Sequence, residues 1–482
     1  PISNGMKILI DQLADINAEH IRTAEELRKK HDIVYWIRIE EVVPFDKALF
    51  PGTIFHNYHD AIDGIAPKEI DTSGFRPWSK EEISALSSWE SELLIMIDKA
   101  HAGWPVAKRY DFYYDLLRYW GGILDTFAPD LIVFNAPPHQ VFNFVLYAIA
   151  KERGIRTVIF DVTFRHDRLI SSGDYRSGNE LLSNAQRDGY GGKPVSIEDL
   201  PAYVQNHYRT VSGTPDPTPV YLTEFKRAST PLKNLWRRMK SLTPHIKDGS
   251  IFERGARRFF KMLSPRLEDI YRTLQRAPDF DKPYIYLPLH YQPECTTSPQ
   301  GGIYVEQILM IKTLAAALPE GWEVYVKEHP AQWPSHWGDF TPQRYHGFYE
   351  EIARVRGVRI VPITTNTFTL CDHAHTTATA SGTAAWESVV RGKPALIFGY
   401  PWFMHAPGIF RVSSVDDCKA ALQKIKDGYA PDKAQLLKYL SLLSKVVFAG
   451  TLSMSADKLK DHEGEEQWKS MYRAIESALP SK

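Results

Sequence analysis

Short apolar runs alternate with longer stretches of helical periodicity along most of the chain. MKILID (6–11) and IVYWIRI (33–39) have the length and content of buried strands, and AEHIRTAEELRKKH between them repeats its apolar positions at helical spacing. Helical patterns follow near 79–101 and 106–127, then PDLIVFNAPP (129–138), the helical VFNFVLYAIAKERG (141–154) and RTVIFD (156–161). Strand, helix and strand at this spacing predict parallel βαβ units. The pattern breaks across 172–280, a stretch rich in Gly, Pro and charge, and resumes at YIYLPLHY (284–291). A helix at about 302–318, the strand WEVYVKEHP (322–330), a helix at about 344–356 and the strand VRIVP (358–362) come next. HTTATASGTAAWESVVRGKPALIFG (375–399) adds strand, helix and strand, and helical segments run on from there. The expected architecture is α/β, with two doubly wound Rossmann-like domains facing a central cleft. They span 6–171 and 281–450, with 172–280 as linker or insertion and 451–482 as a C-terminal helical segment. In such sheets ligands bind at the carboxyl ends of the strands.

Composition narrows the class. At 482 residues the chain exceeds what one core usually serves, and 43% hydrophobic with 24% charged residues is ordinary for a soluble protein. Cys295, Cys371 and Cys418 have no ligand spacing, which suits a reducing cytosol and argues against a structural zinc site. No apolar run has the length to span a bilayer and no signal-peptide pattern opens the chain, so a cytoplasmic location is expected. The net charge of zero is unevenly spread: 226–266 holds twelve Lys or Arg against Asp248 and Glu253. Within it Leu232, Leu235, Trp236, Met239 and Leu242 fall at helical spacing, with Lys233, Arg237, Arg238 and Lys240 around them. This pattern fits a helix lying on an anionic membrane surface, at the inner face of the cytoplasmic membrane, or a linker helix with a solvated basic side. No nucleic-acid-binding motif accompanies it, so nucleic acid is not an expected partner.

Candidate chemistry concentrates at predicted strand ends. In YVKEHP, Lys327 and His329 are two apart and project to one strand face while Glu328 projects to the other. Pro330 holds His329 extended and ends the strand. Ser381-Gly382-Thr383 sits between a strand and a helix, where unpaired N–H groups and the helix dipole make a seat for phosphate. The alternative is an ordinary N-cap. Glu387, four residues past Thr383, lies on the same helix face and could accept ribose hydroxyls. Glu294 is the carboxylate of LHYQPECTTSPQGG (289–302), a candidate nucleophile or general base. From the first domain, NAPPHQ brings His139, and FDVTFRHDR brings Asp161, Arg165, His166 and Asp167 to orient or deprotonate an acceptor. DFD (279–281) reads as a turn before a proline, and the chain has no HExxH, GxSxG or GxGxxG.

KEHP and SGTAAWESVVRGKPALIFG resemble motifs of the bacterial capsular polysaccharide biosynthesis family, which includes the Kdo transferases. The likeness covers mainly 284–412, and more weakly 129–168. The His-Pro element is shared with bacterial sialyltransferases, where it contacts the cytidine monophosphate of the donor. The resemblance implies a metal-independent GT-B glycosyltransferase without a cofactor, moving an acidic sugar from a CMP-activated donor to an oligosaccharide or glycolipid acceptor. It places Lys327, His329, Pro330, Ser381, Gly382, Thr383 and Glu387 at the donor and leaves Glu294, His139, Asp161 and Arg165 as catalytic candidates. QPECTT departs from the Asp-containing stretch of related Kdo enzymes. Other readings of the same motifs are a UDP-sugar 2-epimerase, a CDP-glycerol-type phosphotransferase and a non-catalytic polysaccharide-binding protein.

Overall fold

The computed structural model describes all residues except 1–4, 14–17, 40–44, 166, 214–265, 336–340, 453–465 and 480–482. Thirteen described strands form two sheets. The first holds β1 (Lys7–Asp11), β2 (Asp32–Arg38), β3 (Ile54–Asn57), β4 (Leu131–Phe134), β5 (Arg156–Val162), β6 (Arg168–Ser172) and β13 (Phe448–Ala449), in the order β13-β6-β5-β4-β1-β2-β3. The second holds β7 (Tyr284–Pro288), β8 (Glu323–Lys327), β9 (Val358–Ile360), β10 (Thr376–Thr379), β11 (Ala395–Ile397) and β12 (Ile409–Arg411), in the order β12-β11-β10-β7-β8-β9. Every pairing in the second sheet is parallel, and in the first only β6 breaks the parallel run.

Both sheets therefore wind outward three strands one way, then return to the centre and wind the other way. That is the doubly wound Rossmann order. The reversal falls between β1 and β4 in one domain and between β7 and β10 in the other. Strands such as β4 are apolar on both faces because helices cover both. The Val106–Phe127 and Val141–Glu152 helices share a core with one face of the first sheet, and the Ala18–Leu27 and Gln467–Ala478 helices cover the other.

Three segments pack into cores to which the linear division at 172, 281 and 451 does not assign them. Helices Glu180–Arg187 and Ala202–Gly213, inside the stretch read as linker, share a core with the Thr383–Val390 and Lys433–Val446 helices of the second domain. Leu267 and Tyr271 of the Leu267–Leu274 helix enter the core under the second sheet. After the second domain the chain crosses back, adding β13 to β6 and the last helix to the first domain. Average composition over 172–280 hid these short apolar stripes. The helical pattern at 79–101 divides into Lys80–Ala85, Ser87–Met96 and the 3-10 turn Ile97–Lys99. DFD forms a turn, with the Asp279 carboxylate accepting from Asp281 N.

Candidate functional site

At the second domain's reversal point, the loop after β7 meets the turn after β10. His290 Nε2 lies 2.7 Å from Thr379 Oγ1 and accepts from Ser381 N at 3.4 Å. An accepting Nε2 places the ring proton on Nδ1. Burial pushes the imidazole down to about 3, helped by the His329 and Arg344 charges, so it stays neutral. Gly382 lies so close to this ring that a Cβ would stand 2.9 Å from Thr379 Oγ1 and 3.1 Å from His290 Cε1. It is the N-cap of the Thr383–Val390 helix, and no side chain caps that end. The positive helix terminus is thus open to an anion. The Ser381 hydroxyl donates to Thr296 O, so it is not spare for a ligand; Thr383 is exposed beside it. Glu387 is half-buried, and desolvation raises its pKa against the Thr383 hydrogen bond and the Arg391 charge.

The end of β8 differs in part from the sequence reading. Lys327 is buried and donates to Thr365 O at 2.8 Å and to Thr367 Oγ1 at 2.6 Å, holding the start of the Thr367–His373 helix. His329 is half-buried, accepts from Ala331 N on Nδ1 at 3.2 Å, and stands 5.9 Å centre to centre from Tyr291. Desolvation lowers its pKa against the Glu328 charge, while Arg344 and Lys327 add to the lowering. Pro330 is exposed next to it.

Glu328, expected only to face away, anchors the loop from beneath. Arg344 Nε meets its Oε2 at 2.7 Å, and both side chains are fully buried. Tyr349 donates to the same oxygen at 2.5 Å. Arg344 also donates to His290 O at 2.9 Å and to Gln292 Oε1 at 2.8 Å, and Gln307 Nε2 reaches that Oε1 at 2.6 Å. A buried ion pair is tolerable when its remaining hydrogen-bonding positions are filled, as here. A lone Arg in a loop carries no sequence signal for this role.

The 294–300 loop docks against the first domain. Gln300 Nε2 donates to Asp161 Oδ2 at 2.7 Å, and Cys295 Sγ lies 3.8 Å from Pro137 O. Desolvation raises Asp161 to about 7, against hydrogen bonds from Val162 N and Gln300. His139 Nδ1 donates to Pro137 O at 2.9 Å, and burial with the nearby Lys99 charge pushes it down to about 4. Glu294 is exposed at the rim, yet desolvation still raises its pKa; the Thr296 hydroxyl, 2.8 Å from Oε2, and Lys99 oppose the rise. Arg165 is occupied, clasping Asp167 at 2.8 and 2.7 Å. His166 and the basic 214–265 stretch, with the Leu232–Leu242 pattern, lie outside the described residues. A cavity of about 20 Å³ lies in the seam beside Asp161 and Tyr400, room for a water and not for a sugar.

The first domain's reversal point carries residues that sequence reasoning passed over. Asp11 ends β1, and its Oδ2 accepts from Asn143 Nδ2 at 2.8 Å. Asn143 Oδ1 meanwhile accepts from Gln140 N at 2.9 Å, which fixes the amide's orientation. Asp11 Oδ1, Gln12 Nε2 and Asn135 Oδ1 are buried without a hydrogen-bond partner among the described residues. Burial raises the Asp11 carboxyl to about 7, opposed by Asn143. The signal was a polar residue closing each apolar strand, at Asp11 and Asn135.

A roomier hollow of about 510 Å³ lies over Phe75, Trp78, Gly121 and Gly122, beside the helix end that leads into the start of β4. It is on the opposite edge from the strand ends. Its carboxylates are engaged, Asp71 by Ser73 N at 2.9 Å and Asp125 by Arg153 at 2.8 Å. Among the described residues no group of three or more His, Cys, Asp or Glu could hold a metal, and no helix is long and apolar enough to cross a membrane.

Fold and strand-end geometry define a two-domain Rossmann-type α/β protein with reversal points next to an interdomain seam. No family model matches the chain, and the search of curated proteins gives no match. Among solved structures it aligns with Thermosulfurimonas dismutans KpsC, beta Kdo 2,7 transferase, at 9% identity over 78% of this chain and 91% of that one, TM-score 0.29. It aligns with Methanocaldococcus jannaschii UDP-GlcNAc 2-epimerase, in complex with UDP-GlcNAc and UDP, at 8% identity over 91% and 98%, TM-score 0.29. Anabaena Alr3699/HepE, in complex with UDP and glucose, gives 10% identity over 92% and 94%, TM-score 0.28. At these values the alignments transfer no substrate and no residue role.

Proposed function

We propose that the chain is a glycosyltransferase that moves an acidic sugar, of the Kdo or sialic acid kind, from a CMP-linked donor to a surface polysaccharide or lipid-linked acceptor. The observation that carries a nucleotide-sugar reading is the uncapped Thr383–Val390 helix end at the β7/β10 reversal point. His329 stands at the end of the neighbouring strand β8. CMP and the acidic sugar come from the resemblance of KEHP and the SGT…GKP stretch.

In this reading the helix terminus takes the donor phosphate, Thr383 turns from Glu387 to meet it, and Gly382 keeps the backbone within reach of it. Glu294, exposed at the rim with its pKa raised by desolvation, suits a general base. It takes the acceptor hydroxyl's proton while the acceptor oxygen bonds to the anomeric carbon. The bond from that carbon to the phosphate oxygen breaks, and CMP leaves with the electron pair. No step is assigned to a metal.

Calorimetry with CMP, CDP, UDP and GDP tests the donor. CMP is expected to bind wild type, and His329→Ala to lose it while keeping its melting temperature. Unchanged CMP affinity in folded His329→Ala would sink the donor assignment. Binding of UDP alone would move the reading to a 2-epimerase, and binding of no nucleotide would leave a polysaccharide-binding protein.

A further inference from the structure

Lys99 closes the Ile97–Lys99 turn of the first domain and reaches across the seam. Its Nζ donates to His139 O at 3.0 Å, on its own side, and to Ser298 O at 2.7 Å, on the other. An ammonium has three donors, and these carbonyls take two. Lys99 is half-buried and makes no ion pair among the described residues. Among the described residues no carboxylate lies within ion-pair distance of it, and the one full negative charge that acts on it is Glu294. Cys295 is pushed up to about 12 and His139 down to about 4, so both are neutral. Glu294 acts on it only at longer range, with its carboxylate held by Thr296. Carbonyl dipoles solvate a cation without neutralising it, and desolvation brings Lys99 down to about 8.

The neighbouring segment says where an anion would come from. Ser298 O holds Lys99, and two residues earlier Thr296 O holds the Ser381 hydroxyl, directly before the uncapped helix end. A cation from one domain and a helix terminus from the other thus flank the stretch Thr296–Ser298.

We propose that Lys99 is the counter-charge for an oxyanion of the bound ligand, a phosphate or a sugar carboxylate, held at the open rim of the seam across from the Thr383 helix end. This rests on the seam binding an anionic ligand and does not need the transfer step.

The test is calorimetry on the full chain and its Lys99→Met and Lys99→Arg variants, with inorganic pyrophosphate and N-acetylneuraminate as separate probes. Wild type is expected to bind at least one probe, and Lys99→Met to lose about tenfold or more while Lys99→Arg keeps most of it. The probe that responds identifies the phosphate or the carboxylate as the source. Wild-type affinity should fall as pH rises through about 8, with a bound anion moving that midpoint upward, while Lys99→Arg stays flat. If Lys99→Met binds both probes like wild type, or neither binds wild type, the proposal is overturned. A lowered melting temperature with unchanged affinity would make Lys99 an interdomain tie only. If pyrophosphate binding depends on Lys99 while CMP does not bind, the donor reading falls and this one stands.

Discussion

The two reversal points share a strand order and differ in how their polar groups are satisfied. At the β7/β10 end, Arg344, Glu328, Gln292, Gln307 and His290 form a buried network fixed on several sides. What it leaves open is a backbone feature, the helix terminus behind Gly382. At the β1/β4 end, Asp11, Gln12 and Asn135 each keep a buried polar atom without a partner among the described residues. The same topology thus holds one end whose buried side chains are paired and one that carries a free-energy penalty while its polar atoms stay unpaired. Buried polar groups without partners cost about 1–3 kcal/mol each.

The largest expected effect breaks the built side. Arg344→Met leaves Glu328 as an uncompensated buried carboxylate and should cost about 3–5 kcal/mol in urea unfolding. Adding Glu328→Gln should return part of that. A single Arg344→Met variant with wild-type stability would show that the network does not hold the loop.

Next comes the unsatisfied side. The folded pKa of Asp11 lies above its ordinary value of 3.8, at about 7, so the folded state holds the proton more tightly. Its contribution is fully present below the unfolded pKa and is lost as pH rises through the folded one. Asp11→Asn removes that loss, and should be more stable than wild type at pH 8 by on the order of 2–4 kcal/mol, with the advantage shrinking towards pH 4. Equal pH profiles of melting temperature in the two proteins would refute the buried-acid account.

The smallest effect separates two residues of the Ser381-Gly382-Thr383 turn. Thr383→Ala should weaken phosphate-bearing ligands by about 1 kcal/mol while leaving stability nearly unchanged. Ser381→Ala should do the reverse, because its hydroxyl is committed to Thr296 O. Calorimetry and thermal melts on the pair would expose a swapped pattern.

Much of this was legible along the chain. The strands at 6–11, 33–39, 156–161, 284–291 and 358–362 are short apolar runs bounded by polar residues, and each overlaps a strand of the structure. The Ser381-Gly382 turn was legible because small residues between an apolar strand and a helical period have few other uses. Lys327 and His329 were read as one presented pair, since strand alternation reports the face and not the depth. Lys327 proved to be buried against Thr365 and Thr367. Arg165 showed its charge in sequence, but not that Asp167 would claim it.

Local patterning along the chain was enough to set the α/β alternation and the parallel units. Those follow from local periodicity and from the few conformations that Gly, Pro and β-branched residues allow. The strand order, the return of β13 and the last helix to the first sheet, and the fate of each charge came from tertiary contacts. Those depend on contacts between residues hundreds of positions apart: His31 Nε2 meets Glu476 at 3.1 Å, and Lys99 meets Ser298 O at 2.7 Å. A charge's role is set by the dielectric and partners around it, and folding brings these from distant parts of the chain.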